Sequence, residues 1–345
     1  SFFNKSNSNE EDYDNDDYSD DIMLDSILDE ASVNLPSCYL LWHYRSKHED
    51  LIAFSNKEIY GNKLITFPSC RPRENNMGVE YIHVKNGIYH NNVNALEAKR
   101  CVSLMKIHFD TTPERSLGII AFSARQQEKI EDEIQIFRHV HPEYDKFFVE
   151  DKDEPFFVKN LENVQGDERD TIIFSICYGK NEEGNMYMRF GPLGTTGGER
   201  RLNVAITRAK YNIKLVGSIF PDDIELTRTK SEGVRLLRSY INYAINGSDE
   251  LRNDEPVEDL FKTALSDILK RRGYNVKLDV GNSSNKIDIA IEHPRYPGQY
   301  FAGIECDGYV YAETETVRDR EKIKQSVLSK MGWSIYRVWS TEWIR

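Results

Sequence analysis

The spacing of apolar and polar positions divides the chain into two patterns. From about residue 38 to 245, short β-rich runs alternate with longer runs of helical period. The strand candidates are Cys38–Leu41, Leu64–Phe67, Glu80–His83, Leu117–Phe122, Thr171–Cys177 and Ile213–Val216. The helices between them include Ala95–His108, Gln126–Val140, Glu199–Lys210 and Gly233–Ile245. Strands separated by helices of this length predict βαβ units and a mostly parallel sheet covered on both faces. A short helix is predicted at Ile22–Ala31, and Asn94 with Glu97 has the form of a helix capping box.

The polar stretch Asn246–Glu255 has the composition of a linker. Beyond it the order changes to a helix Pro256–Arg272, a β-rich region Tyr274–Asp307, a helix Arg318–Met331 and a strand Ser334–Trp339. The expectation is an α/β chain of two domains, residues 1–245 and 256–345, joined by 246–255.

Composition fits that count, since 345 residues suffice for two domains that each bury a core. No apolar run approaches the roughly 20 residues of a membrane span, so no membrane partner is expected. A net charge of −12 argues at first against nucleic acid. Much of it is local, however: Glu10–Asp21 holds eight acidic residues and no Lys or Arg. Such a tract predicts a solvated, disordered loop at about residues 9–21. Five scattered cysteines without a close pair argue against a disulfide framework or zinc site and fit a reducing, cytoplasmic setting. Ser1-Phe2-Phe3 has neither an initiator Met nor signal-peptide features, so the chain reads as part of something longer.

Three segments of the first domain carry candidate chemistry. Tyr44-Arg45, after a predicted strand, offers a stacking face for a base and a forked cation for phosphate. Gln165-Gly-Asp-Glu168 forms a polar turn before a buried strand; Gly166 allows close backbone approach and Glu168 could accept from a ribose hydroxyl. In Glu199–Lys210, helical spacing puts Arg201, Ala205 and Arg208 on one stripe. Each signal has a bland alternative: a surface Arg beside a half-buried Tyr, an ordinary loop, a solvated basic face.

In this order and spacing the three resemble the fourth, fifth and sixth motifs of the second RecA-like domain of superfamily 1 helicases, Upf-type branch. The resemblance runs from Ser1 to about Tyr243. It implies that Tyr44 stacks on adenine, that Arg45 and Arg208 act as arginine fingers on the γ-phosphate, and that Gln165, Gly166 and Glu168 contact nucleotide. More loosely, Ile120–Gln126 resembles a segment touching the nucleic-acid backbone, which implies contacts from Ser123 and Gln126; Thr207, in the sixth motif, is a further candidate. No Gly-x-x-x-x-Gly-Lys-Ser/Thr loop occurs, so the phosphate cradle is expected on a first RecA-like domain upstream, and this chain alone should not hydrolyse ATP.

In the second domain, Asn285–Glu292 and Tyr300–Asp307 alternate like strands around a turn-rich His293–Gln299. A hairpin centred between Tyr296 and Pro297 sets Asp288 opposite Glu305, and period two adds Asp307 to that face. Three carboxylates on one face repel unless a cation binds them, and oxygen ligands favour Mg²⁺ or Mn²⁺. The alternative is a solvated acidic strand face.

Ile287–Ile291, Ala302–Gly308, Val317–Arg320 and Gly332–Trp343 resemble the Vsr-like branch of the restriction-endonuclease fold. The resemblance covers about Pro256 to Arg345 and implies Asp288, Glu305 and the Cys306 carbonyl as metal ligands. It also matches Glu258 to the family's helix acid and makes Gln325 a site-completing polar group. Asp307 stands where the wider superfamily has Lys, and Ala312 where the branch has His. The resulting expectation is a RecA-like sheet followed by a small restriction-endonuclease-like domain. Its function would be that of the C-terminal part of a bacterial ATP-dependent DNA helicase with a Mg²⁺-dependent endonuclease, acting in anti-phage defence on single-stranded or unwound DNA. The alternatives are a nuclease-inactive binding module and an RNA helicase.

Overall fold

Leu117-Gly-Ile-Ile-Ala121 is buried at every position, as a central parallel strand covered on both faces must be. It is β2 of a five-stranded sheet with β1 (Gly78–His83), β3 (Phe157–Asn160), β4 (Arg169–Ser175) and β5 (Ala209–Gly217). The order is β1-β5-β4-β2-β3 and every pairing is parallel. Two sets of helices cover it: α3 (Ala95–Thr111) and α4 (Ala124–Val140), then α2 (Asp50–Glu58), α5 (Gly198–Ile206) and α6 (Glu232–Asn246). Period-two alternation explains the two cores. Leu117, Ile119 and Ala121 pack with Cys101, Met105 and Ile130 of the first set. Ile120, Phe122 and Phe174 pack with Leu51, Leu202 and Leu237 of the second.

This computed structural model describes residues 27–36, 40–43, 45–71, 76–149, 153–247, 259–283, 285–307 and 323–339. The acidic tract, Tyr44, the linker after Gly247, Glu258 and Ala312 lie outside them. The chain forms two units, Ser1–Leu41 and Trp42–Arg345; in the first, the described helix is α1 (Ile27–Asn34). Among the described residues no helix is long and apolar enough to cross a membrane.

The small domain follows the predicted order. After α7 (Leu260–Arg271) come β6 (Val276–Val280), β7 (Ile287–His293) and β8 (Tyr296–Cys306), then α8 (Lys324–Lys330) and β9 (Ile335–Val338). Its sheet is mixed, β6-β7-β8-β9, antiparallel except for β8 with β9. The hairpin turns at Pro294-Arg295, two residues before the expected centre. Extra residues of β8 bulge out between Tyr296 and Ala302, so the expected register is regained at Ile291↔Ala302 and Ile289↔Ile304.

The small sheet does not close its core alone. Phe67 and Cys70 pack with Val280, Ile287, Leu328 and Trp333. The Trp333 indole N–H donates to the Pro68 carbonyl at 2.8 Å, and the Tyr300 amide to the Cys70 carbonyl at 2.9 Å. Ser283 donates to the Thr66 carbonyl at 2.9 Å, and the Asn282 amide to the Glu49 carboxylate at 2.8 Å. Residues 42–71 therefore belong to both domains' packing, which a division at 246–255 leaves out.

Candidate functional site

At the amino-terminal edge of the large sheet, β4 and β5 begin side by side, so the loops before them meet: the Arg169 amide donates to the Arg208 carbonyl at 3.2 Å. Residues 45–49 lie against the same edge through Lys47, whose amide donates to the Lys210 carbonyl at 2.7 Å. This brings Arg45 to the two loops. Its Nη1 donates to the Thr207 carbonyl at 3.2 Å, and its Nε pairs with Glu168 at 3.0 Å. Glu168 also meets Lys210 Nζ at 3.3 Å, and Lys210 pairs with Glu154.

Arg208 is partly buried and its Nε donates to the Val204 carbonyl at 2.9 Å. Burial, then the neighbouring Arg45 guanidinium, lowers its pKa from the ordinary arginine value. It stays charged at neutral pH because that value starts so high. Two like charges thus sit together, with Glu168 and Asp167 as nearby counter-charges. Gln165 and Gly166 form the exposed turn beside it, and Gly166 has φ +93°, a left-handed conformation that suits glycine.

Several expectations change here. α5 ends at Ile206, so Arg208 leaves the helix, and Arg201 instead donates to the Pro192 and Thr196 carbonyls. Glu168 is engaged by Arg45 and Lys210 rather than free for a ribose. Thr207 lies at this edge, its hydroxyl donating to the Asn203 carbonyl at 2.9 Å, and not with Ser123 and Gln126.

Those two stand at the carboxyl-terminal edge. Ser123 caps α4, its Oγ accepting from the Gln126 amide at 3.2 Å, and remains partly exposed. Gln126 is 0% exposed. Its Nε2 donates to the Asn94 carbonyl at 3.0 Å and to Ser175 at 2.9 Å, while its Oε1 accepts from the Asn94 amide at 2.8 Å. A side chain so engaged joins α3, α4 and β4 and does not reach a nucleic-acid backbone.

Beneath it lies Glu97, also 0% exposed. It accepts from the Cys177 amide at 2.7 Å, Ser218 at 2.9 Å, Ser175 at 3.0 Å and Asn94 Nδ2 at 3.1 Å. Burial pushes its carboxyl up to about 7, against the pull of these donors. The expected capping box is half formed: the Glu97 amide donates to Asn94 Oδ1, but the Asn94 amide goes to Gln126.

In the small sheet, the Cys306 amide donates to Asp288 Oδ2 at 2.8 Å, one step beyond the Ile289↔Ile304 pair. Asp288 and Glu305 are therefore neighbours. Glu305 is 6% exposed and meets two cations, Lys324 Nζ of α8 at 2.6 Å and Arg337 of β9 at 3.1 Å. Burial raises the Asp288 pKa, opposed by the Cys306 amide and by the charges of Lys324 and Lys262. Lys262 of α7 is itself paired with Asp279 at 2.6 Å.

The repulsion expected between carboxylates is thus relieved by Lys324 and Arg337. Asp307 follows the last residue of β8 and is partly exposed, and Gln325 is exposed while its neighbour Lys324 faces Glu305. Sequence reasoning missed Lys324; the signal was a lysine next to the chosen glutamine on the same helix. Among the described residues no group of three or more His, Cys, Asp or Glu converges on one point. Two adjoining carboxylates and the Cys306 carbonyl are nonetheless the oxygen donors a hard cation takes.

A family model described as an AAA domain matches residues 20–219, more than half of the chain. The chain belongs to the AAA domain family. A second model, REase_MTES_1575, matches residues 261–345, so a restriction-endonuclease-like domain follows the AAA domain. The chain is 31% identical over 327 residues to a protein of Mycoplasma genitalium named an uncharacterized ATP-dependent helicase. A homologue from Mycoplasma pneumoniae is 30% identical over 324 residues. Each match covers 88% of this chain but only 28% of the relative. Among solved structures, the C-terminal domain of a possible DNA helicase from Lactobacillus plantarum covers 50% of this chain and 86% of its own, at 16% identity. Its TM-score of 0.30 is too low to bear on the fold.

Proposed function

We propose that this AAA domain is the second motor domain of an ATP-dependent helicase acting on DNA, and that the restriction-endonuclease-like domain is a metal-dependent nuclease. The reading rests on one observation: Arg45 and Arg208, distant in sequence, are brought together at one sheet edge, where Glu168 pairs with Arg45. Glu168 holds Arg45 until phosphate arrives, and the two guanidinium groups then stabilise charge on the transferring phosphoryl group. A first RecA-like domain, on the remainder of a longer protein, supplies the phosphate cradle. Gln165 and Gly166 border the nucleotide and Tyr44 stacks on its base. Ser123, at the opposite edge, faces the nucleic acid.

In the small domain Asp288, Glu305 and the Cys306 carbonyl hold Mg²⁺ or Mn²⁺, with Glu258 and Asp307 contributing to the same site. A bound ion of this kind polarises a phosphodiester and lowers the pKa of water. Lys324 balances charge at Glu305 and is poised to do the same for a phosphate. Anti-phage defence in a bacterial cytoplasm is the setting this pairing suggests. A second reading, a nuclease fold kept for binding, is favoured by the engagement of Glu305 with two cations. The motor reading is tested by steady ATP turnover: the chain alone should show none, and sustained turnover by it would overturn the division of the site between two domains.

A further inference from the structure

A cavity of about 620 Å³ opens where residues 43–71 meet the end of α8. Its size is within the range of small-molecule sites, and it lies at a domain junction, where such sites concentrate. Three of its lining residues are Lys47, Arg71 and Lys330. All three are exposed. Among the described residues none of them has an ion-pair partner. In a chain with 57 acidic and only 45 basic residues, three cations without ion-pair partners lining one cavity are informative.

The acid in the lining, Glu49, is buried and hydrogen-bonded. Glu49 accepts from Thr66 at 3.0 Å and from the Asn282 amide at 2.8 Å. His43 adds no charge at neutral pH, because burial and Arg45 pull its pKa down to about 4. Phe67, Met77, Val327 and Met331 give the same cavity an apolar lining. Unmatched cations beside apolar surface suit one chemistry well: an anionic phosphate attached to a flat, weakly polar ring.

We propose that this junction cavity binds a nucleotide unit, its phosphate on Lys47, Arg71 and Lys330 and its base against the apolar lining. The cavity adjoins the Arg45–Arg208 edge, since Lys47 bonds to Lys210 there, but neither Arg45 nor Arg208 lines it, and neither do Asp288 and Glu305. It extends the motor-nuclease reading only in the choice of ligand class, and its test does not depend on turnover or cleavage. The nucleotide comes either free or as part of a single strand.

The experiment measures binding of thymidine monophosphate and of an oligothymidylate eight residues long, carrying one 4-thiothymidine for photocrosslinking. Replacing Lys47, Arg71 and Lys330 together by Glu should weaken binding by roughly tenfold or more, and each single change to Ala should lower the salt slope by about 0.7. Crosslinks should fall on peptides containing Met77, Tyr211 or Met331. Full competition by the mononucleotide identifies a free nucleotide as the ligand, and a large gain for the oligomer identifies a strand; either supports the proposal. No binding, crosslinks confined to other peptides, or an unchanged affinity in the triple variant overturns it. Since the three residues are exposed, the single Ala variants are expected to fold even if the triple one does not.

Discussion

The two charged sites of this chain differ in how their charges are paired. At the large sheet's amino edge, Glu168 holds Arg45 and Lys210, Glu154 also pairs with Lys210, and Arg208 has the Arg45 cation as a neighbour. In the small sheet, the carboxylates Asp288 and Glu305 are neighbours and two cations, Lys324 and Arg337, hold Glu305. Exposure differs as well. The Arg45 and Glu168 side chains are each 38% exposed, whereas those of Lys324 and Glu305 are 17% and 8% exposed. The first pairing is therefore weak and easily exchanged for a phosphate, while removing a cation from the second would leave a buried carboxylate less compensated. On the proposed function this contrast has a use: a motor edge must release its cations at every cycle, and a hydrolytic centre has to keep its carboxylates in position.

The largest effect that could break this comparison is on cleavage. With Mg²⁺ or Mn²⁺, Asp288→Asn should abolish nicking of plasmid DNA by the intact protein, since an amide is a poor ligand for a hard cation. Nicking that survives the change moves the catalytic centre elsewhere; if the unmodified protein never nicks, the binding-module reading stands instead. Next, Lys324→Ala leaves a buried carboxylate with Arg337 alone and should cost about 3 kcal/mol in urea unfolding. A loss under about 0.5 kcal/mol would make that pair no stronger than a surface one.

Glu97 offers a smaller and pH-dependent contrast. Its carboxyl is raised by burial to about 7 in the folded protein, from an ordinary value of 4.5. The protonated form is favoured by folding, so this contribution is complete below about pH 4.5 and is lost as pH rises through 7. Glu97→Gln lacks that loss. Between pH 4.5 and 8, its stability relative to the unmodified protein should rise by roughly 3 kcal/mol, measured by chemical denaturation. A pH-independent difference would mean that the four donors keep Glu97 ionised throughout.

Much of the fold was legible because its signals are local. Strands such as Leu117–Ala121 and helices such as Ala124–Val140 carry their own periodicity, and Asn94 and Ser123 mark helix starts with side-chain caps. Arg208 was misread as helical because spacing alone does not reveal that the chain turns at Thr207 and enters β5. β3, only four residues long and interrupted by Lys159, had too weak a pattern to register. The Asp288–Glu305 pairing was anticipated from a turn two residues out of place, and the bulges in β8 compensated for that error. The packing of Phe67 and Cys70 into the small domain was invisible because it depends on contacts between residues far apart in sequence, whereas Lys324 carried a signal, its place beside Gln325 on one helix.

The most direct test of the central claim is ATP turnover by the full-length protein with and without Arg208→Ala. The guanidinium acts on transition-state charge, so turnover should fall by about 10³–10⁵ while ATP affinity stays nearly unchanged. If turnover is unaffected, or if it falls only in proportion to a loss of ATP binding, Arg208 does not act on the transferring phosphate and the account of this edge is wrong.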